Sequence, residues 1–438
     1  MQNSSKISGS ATVYNFSVET GNHMIKEKKT TVLLIHYYFP PRGGAAVQRF
    51  VKFCKYLEQF NCQVIVLTSG VDYSLRDDDL LASIPSGTRV FTTYFPGQRK
   101  AMEGQFGRRN MIIDAFLVWV PIAVKKAREI IASNDIDVIF TTSPPHSQQL
   151  IGLRLKKKTG LPWVVDFRDP WTSDLRFMKH KKSWRGLIDR WVEKKVLKRA
   201  NIVVATTPMA AEMFRKKAPK SCVQSKFKCI TNGYDPDDYK QAGEISEDLM
   251  KFAYVGSTGP YISDPSFFFH GLRKALDTEP NLREKLRVQF VGGLDPQNKL
   301  LIQSLGLEDV VKFLGFFPQR KAIQLMTDSD VMLLFELPMG NDDEPTRVIP
   351  SKVFEYIGAN RPIMAMVVEG DTADLVREYS MGKVIDPKNL DDISNAIIEY
   401  FRQFQAGQLR RCMTPPPAKF SRKEQAKELA EILHELHT

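Results

Sequence analysis

The sequence predicts an α/β protein built from two doubly wound parallel sheets. Three observations carry that expectation. Short continuous apolar runs, the pattern of strands buried on both faces, alternate with segments of helical period. The alternation runs from Thr31 to Thr231 and starts again at Phe252, with an Asp-, Gly- and Pro-rich stretch, Asn232–Asp248, between the two series. A length of 438 residues suits two domains of roughly 200.

The first series opens with the apolar strand Thr31–His36, a Pro-Gly loop and a helix over Val47–Phe60. Strands Val64–Thr68 and Val90–Tyr94 follow, then a helix over Ala115–Ala132 and a strand Val138–Thr142 ending at Pro144-Pro145. Helix Ser147–Thr159, strand Trp163–Asp166, helix Leu187–Arg199, strand Ile202–Ala205, helix Ala210–Lys217 and strand Lys228–Thr231 complete it. The second series has strands at Phe252–Val255, Val288–Val291, Val311–Phe313, Val331–Leu334 and Ile363–Met366. Its helices are Phe267–Leu276, Lys299–Leu305, Arg320–Asp328, Ser351–Ile357, Thr372–Tyr379 and Asp392–Phe404. Ser421-x-x-Glu424 is a capping box that opens a last helix, Lys423–Leu436. The expected division is a disordered leader over 1–29, with Met24 an alternative start, a first domain over 30–235, a second over 236–417, and a C-terminal helical segment over 418–438.

Composition excludes several classes. Apolar residues at 43% and charged residues at 26% exclude a largely disordered chain. The longest apolar stretch, Met111–Val124, is 14 residues long and carries Asp114, too short for a span of about 20. The five cysteines form no CxxC, and no secretory apolar segment precedes Met24, so a reducing cytoplasm is expected. Net charge is +12, divided as +19 over residues 1–235 and −7 over 236–438. A basic half beside a mildly acidic one points to an anionic partner, with plain solubility as the alternative.

Four constellations carry chemistry. His36-Tyr-Tyr-Phe-Pro-Pro-Arg-Gly43-Gly44 follows a strand and opens a helix. Paired glycines there admit a phosphate or sugar hydroxyl to a helix N-terminus, or make a plain turn. No G-x-G-x-x-G follows the first strand, which gives no support to a dinucleotide fingerprint. Thr141-Thr-Ser143-Pro-Pro-His146-Ser147 ends a strand, where open α/β sheets bind ligands. Asp166-Phe-Arg168-Asp169 sets three charges after an apolar strand, costly to bury unless paired or used. Arg347-x-x-Pro350-Ser351-Lys352-Val-Phe-Glu355 starts a helix, with Ser351 as its expected cap and Lys352 facing the unfavourable end of the dipole unless an anion sits there. A fifth segment, Trp184 to Arg199, joins two Trp to six Lys and Arg and suits either an anionic bilayer or packing on the first sheet.

Taken together these motifs resemble the group 1 (family 4-like) glycosyltransferases of the GT-B fold, closest to enzymes of bacterial cell-surface polysaccharide synthesis. HYYFPPRGG at 36–44, TSPPHSQQLIG at 142–152, PWVVDFRDPWT at 162–172, ITNGYDPDDY at 230–239, FAYVGS at 252–257, FVGG at 290–293, FLGFFP at 313–318 and PSKVFEYIGANRPI at 350–363 carry the resemblance in order. It implies two Rossmann-like domains facing a cleft, with the last helix crossing back to the first domain. It implies retaining transfer from a nucleotide-sugar held by the second domain, with no cofactor or obligatory metal. On that basis Arg168 and Asp169 match the reacting-sugar position. Gly43, Gly44, Gly256, Ser257, Arg347, Ser351, Lys352 and Glu355 are donor-binding, and His36, Ser143, His146 and Asp166 are acceptor-binding.

Two features depart from the family. Arg347 stands where the first motif Glu is expected, and the segment after the second domain's first strand, Gly256-Ser-Thr-Gly259, lacks the usual Arg and Lys. Expected partners are a saccharide or polyprenyl-diphosphate-linked acceptor and an anionic membrane surface, with no nucleic acid. The expected location is cytoplasmic, with peripheral binding at the inner face of the plasma membrane through Trp184–Arg199 and the basic loop Arg99–Arg109. Competing functions are a sugar-nucleotide epimerase, a non-catalytic partner subunit and, least, a nucleic-acid binder.

Overall fold

The computed structural model describes residues 29–43, 45–70, 76–95, 98, 113–173, 183–239, 248–259, 263–336, 348–409 and 415–437. The leader, Gly44, the Arg99–Arg109 loop and Arg347 lie outside the described residues. The chain divides into two compact units, Met1–Thr231 with Arg422–Thr438, and Asn232–Ser421.

In the first unit the elements are β1 (Thr30–Ile35), α1 (Ala45–Leu57), β2 (Cys62–Ser69), α2 (Asp78–Ala82), β3 (Arg89–Thr93), α3 (Trp119–Ala132), β4 (Val138–Ser143), α4 (Gln148–Thr159), β5 (Trp163–Phe167), α5 (Trp184–Arg199), β6 (Ile202–Ala205), α6 (Pro208–Lys217) and β7 (Phe227–Cys229). The strands form one sheet in the order β3-β2-β1-β4-β5-β6-β7. Every pair is parallel, as in Leu33 opposite Ile65 and Ile139. Alternation explains the continuous apolar strand sequences. Leu33 and Ile35 of β1 join the core under α3, α4 and α5. Val32 and Leu34 join the opposite core, with Phe50 and Phe53 of α1 and Leu429 and Leu433 of the last helix.

The second unit runs β8 (Met250–Val255), α7 (Ser266–Thr278), α8 (Leu282–Lys285), β9 (Leu286–Val291), α9 (Pro296–Ser304), β10 (Val311–Phe313), α10 (Gln319–Thr327), β11 (Val331–Glu336), α11 (Ser351–Ala359), β12 (Ile363–Val367), α12 (Asp371–Glu378), β13 (Gly382–Ile385) and α13 (Leu390–Gln405). Its sheet is again parallel, in the order β10-β9-β8-β11-β12-β13. In both sheets the strand order therefore reverses beside the first strand, β1 in one unit and β8 in the other. Residues Arg422–His437 form α14, which belongs to the first unit and packs along α1. His434 anchors it through Thr30 Oγ1 at 2.7 Å and the Phe60 carbonyl at 2.9 Å.

Several expectations shift for identifiable reasons. Asp114 accepts from the Phe116 and Ser147 amides at 3.0 and 2.8 Å, so residues 115–118 are turns and α3 starts only at Trp119. The strand expected over Lys228–Thr231 ends at Cys229, because the Ile230 and Thr231 carbonyls accept from the Arg49 guanidinium. Ser351 is the first residue of α11 and not its cap; Pro350 holds that position without a side-chain bond. The short strand β13 is an addition to the expected set, since Gly-Lys-Val-Ile has no apolar run.

Helix α5 is turned against its composition. Its buried residues include Asp189 and Glu193, beside Gly186, Val192, Val196 and Leu197. Glu193 is compensated: the Thr172 amide and hydroxyl donate to it at 3.1 and 2.5 Å, and Lys217 reaches it at 3.0 Å. Asp189 is not; one carboxylate oxygen has no partner among the described residues, and burial, with Asp114 nearby, pushes its carboxyl up to about 6. A raised acid pKa means stability that is whole below about pH 4 and lost as pH rises through about 6. The loss should amount to about 2–3 kcal/mol. Asp189→Asn removes the ionisation, so urea midpoints measured from pH 4 to pH 8 should fall for the wild type and stay flatter and higher for the variant.

Candidate functional site

In the first unit, charged and polar groups gather at the carboxyl ends of β1, β4 and β5. Strand alternation turns Asp166 and Arg168 toward α1. The Asp166 carboxylate is fully buried; one oxygen pairs with Arg49 at 3.2 Å and the other accepts from Thr142 Oγ1 at 2.7 Å. Arg49, itself 1% exposed, also donates to the Ile230 carbonyl at 2.9 Å. Arg168 donates to the Ser143 and Pro144 carbonyls at 3.3 and 2.8 Å and lies 5.7 Å from the Phe50 ring centre. Burial draws its pKa down from the usual arginine value, while Asp169 and Asp166 oppose that, so it stays charged.

His36 is buried against Phe50, ring centres 4.4 Å apart. Burial, then the charges of Arg168 and Arg42, hold its imidazole well below the usual range, so it is neutral at pH 7. His146 stacks flat on Trp171, centres 5.1 Å apart and planes within 2°.

In the second unit the corresponding strand ends belong to β8, β9 and β10. Gly256 follows β8 with φ +143°, and Gly292 follows β9 with φ +124°. A Cβ on Gly292 would meet the Gly256 carbonyl at 2.3 Å, so the two turns approach only because residue 292 is glycine. Beyond them Ser257 is exposed, and Phe316, after β10, is 77% exposed beside Gly293.

Lys352, in the first turn of α11, crosses to this edge. Its ammonium donates to Tyr254 Oη at 2.5 Å and lies 4.1 Å from that ring's centre. Tyr254 in turn donates to the Ser257 carbonyl at 3.0 Å. A cation near a helix N-terminus opposes the macrodipole, and here the phenol oxygen and ring face compensate it. Tyr356 accepts from the Val255 amide at 3.2 Å, and burial pushes its phenol well above the usual value, so it remains protonated. Glu355 is half-buried, one turn beyond Lys352, and its carbonyl accepts from Tyr239 Oη at 3.0 Å.

Residues 42–238 match the family model Glycosyltransferase Family 4, and residues 239–411 match Glycosyl transferases group 1. The chain is a group 1, family 4-like glycosyltransferase of the GT-B fold. Solved structures share that fold at low identity. Sucrose-phosphate synthase from Thermosynechococcus elongatus aligns at TM-score 0.63 and 16% identity, over 93% of this chain and 99% of its own. WaaG, a glycosyltransferase involved in lipopolysaccharide biosynthesis, aligns at 0.61 and 15%, over 92% and 99%. The MnaA–UDP co-structure from S. aureus aligns at 0.55 and 12%, over 93% and 97%. No curated protein sequence matches the chain.

Measured on this glycosyltransferase, the expected site residues separate into three groups. Arg168 and Asp169 sit at the end of β5, partly exposed. Gly256, Ser257, Ser351, Lys352 and Glu355 share the β8–α11 edge, while Gly43 is buried in the loop before α1. Of the four residues expected to bind an acceptor, Asp166, His36 and Ser143 are fully buried and His146 is 7% exposed. The Asp166 carboxylate is taken up by Arg49 and Thr142.

Sequence reasoning missed Arg49, Tyr254 and Phe316. Arg49 reads as one cation among several in a basic helix, and Tyr254 as one more apolar position of β8. Only Phe316 left a trace, in the doubled Phe of FLGFFP.

Removing one partner of a buried ion pair strands the other charge, at a cost of about 3–5 kcal/mol. Asp166→Asn should therefore lower unfolding stability by that amount, with any loss of activity tracking the unfolded fraction. Unchanged stability with a raised acceptor KM would assign Asp166 to the acceptor after all.

Proposed function

We propose that this glycosyltransferase is a retaining enzyme. It moves a sugar from a nucleotide-sugar to a saccharide or polyprenyl-diphosphate-linked acceptor, in cell-surface polysaccharide assembly of the exopolysaccharide or O-antigen type. The observation that carries the donor side of this reading is Lys352, held by Tyr254 over the Gly256 turn at the carboxyl edge of the second sheet. Open α/β sheets bind ligands at that edge. The family's usual cations after this strand are missing, and Lys352 supplies one from the neighbouring helix. UDP in the MnaA co-structure and lipopolysaccharide in the description of WaaG support a nucleotide donor and a surface-glycan acceptor.

The chemistry follows from charge. The bond between the anomeric carbon and the donor phosphate breaks, and its electron pair leaves with the diphosphate. Lys352, with the backbone N–H groups near Ser257, stabilises that developing charge, and Glu355 holds the ribose hydroxyls. Arg168 adds a fixed positive charge, oriented by two backbone carbonyls and balanced by Asp169. The acceptor hydroxyl attacks the face the leaving group vacates and gives its proton to the departing phosphate oxygen. Configuration is thereby retained without a glycosyl-enzyme, and no step is assigned to a metal.

Thermal melting against UDP, GDP, ADP, CMP and dTDP tests the donor side. A ligand at 100 times its Kd adds about 2.7 kcal/mol, which is about 5–10 °C for a unit of this size. One nucleotide should give that shift, and Lys352→Met should lose most of it. If none shifts the melt, the reading fails, and the chain is a degenerate partner subunit, as Arg347 in place of the motif Glu would suggest. Arg168→Ala should lower kcat about 100-fold or more while leaving the nucleotide shift in place.

A further inference from the structure

Helix α5 carries large apolar side chains on the wrong side. Trp184, Leu187 and Trp191 are 58%, 60% and 57% exposed, at i, i+3 and i+7, which makes one stripe along the helix. Lys195 and Lys198 continue that stripe, and both are exposed, as are Lys194 and Arg199. The helix's two acids, Asp189 and Glu193, are both buried on the opposite side. The outer face is therefore aromatic, aliphatic and cationic, with no carboxylate of its own. Cations lie on its rings: Lys195 Nζ is 3.3 Å from the centre of Trp191, and the Arg185 guanidinium is 5.1 Å from Trp184.

We infer that this face docks on an anionic lipid bilayer. The helix lies along the surface, with Trp184, Leu187 and Trp191 at the boundary of headgroups and acyl chains and the lysines against lipid phosphates. Indole suits that depth because its ring is apolar while its N–H still needs an acceptor. A second copy of the same face is the poorer occupant, since any contact between two copies would desolvate cations on both sides with no carboxylate of either helix to pair with them. No described helix is long and apolar enough to cross a membrane, so the attachment is peripheral. The inference extends the lipid-linked acceptor proposed above and rests on that reading for its purpose, though not for its geometry.

The full chain can be mixed with vesicles of phosphatidylcholine alone or of phosphatidylcholine with phosphatidylglycerol. It should sediment with the anionic vesicles only, and added salt should weaken that binding. Tryptophan emission should shift to the blue on the same vesicles. The other three indoles, Trp119, Trp163 and Trp171, are fully buried, so the shift reports Trp184 and Trp191. Trp184→Ser with Leu187→Ser and Trp191→Ser, and separately Lys195→Glu with Lys198→Glu, should each weaken vesicle binding about tenfold or more while the nucleotide melting shift persists. Equal sedimentation with both lipids, or variants that sediment like the wild type, overturns the inference. So does a wild-type dimer in light scattering that the tryptophan variant converts to monomer. Vesicle binding without any nucleotide shift would leave the surface standing and remove the donor reading instead.

Discussion

One buried ion pair organises the first unit. Asp166 ends β5 inside the protein, where an uncompensated carboxylate would be costly. Arg49 reaches it from α1, Thr142 reaches it from β4, and the same guanidinium takes the Ile230 and Thr231 carbonyls where the chain leaves the first sheet. Two strands, a helix and the exit segment thus meet at a single charge. The alternation of β5 then places the next charge. Residue 168 points to the same side as residue 166, so the Arg168 guanidinium lies over Phe50 and takes the carbonyls of the Ser143–Pro144 turn. The carboxyl edge of the sheet inherits its geometry from a pair that is itself inaccessible.

The second unit solves a different problem at the equivalent edge. Its strand turns close tightly because Gly292 lets backbone meet backbone and Gly256 adopts a φ of +143°. That leaves no side chain of the turn itself to carry a positive charge. Lys352 supplies it from α11, and Tyr254 fixes its direction through a hydroxyl that bonds the loop in turn. The lysine and the loop are therefore mechanically one element. A change at Tyr254 would loosen both, although a buried strand tyrosine reads from the sequence as core.

Much of this architecture was legible because it depends on composition over several residues. Buried parallel strands need continuous apolar runs, and β1, β5 and β11 have them, so their order could be read directly. Strand β13 could not, because an edge strand with one buried residue needs no such run. Helix starts were less legible, since a single carboxylate such as Asp114 can hold a turn that periodicity would assign to the helix. The site followed the same division. Arg168-Asp169 and Pro350-Ser351-Lys352 announce themselves as charges where strands end or helices begin. Which of the neighbouring polar residues point inward does not show in a motif. His36, Ser143 and Asp166 have the right residue types at the right strand ends, and the fold buries all three.

The same reasoning bears on the basic charge of the first half. A net +19 over residues 1–235 would be spread evenly if it served solubility alone. On α5 it is not, because the fold buries both acids of that helix and leaves its cations outside. Burying Asp189 without a full set of partners raises its pKa and costs stability at neutral pH, while exposing Trp184, Leu187 and Trp191 forgoes apolar burial. Rotating the helix would bury the indoles, but with them Lys195 and Lys198 of the same stripe, and it would expose Val192, Val196 and Leu197 and break the ties of Glu193 to Thr172 and Lys217. An apolar, cationic, acid-free stripe left facing outward narrows the function of this helix to an anionic, partly apolar surface.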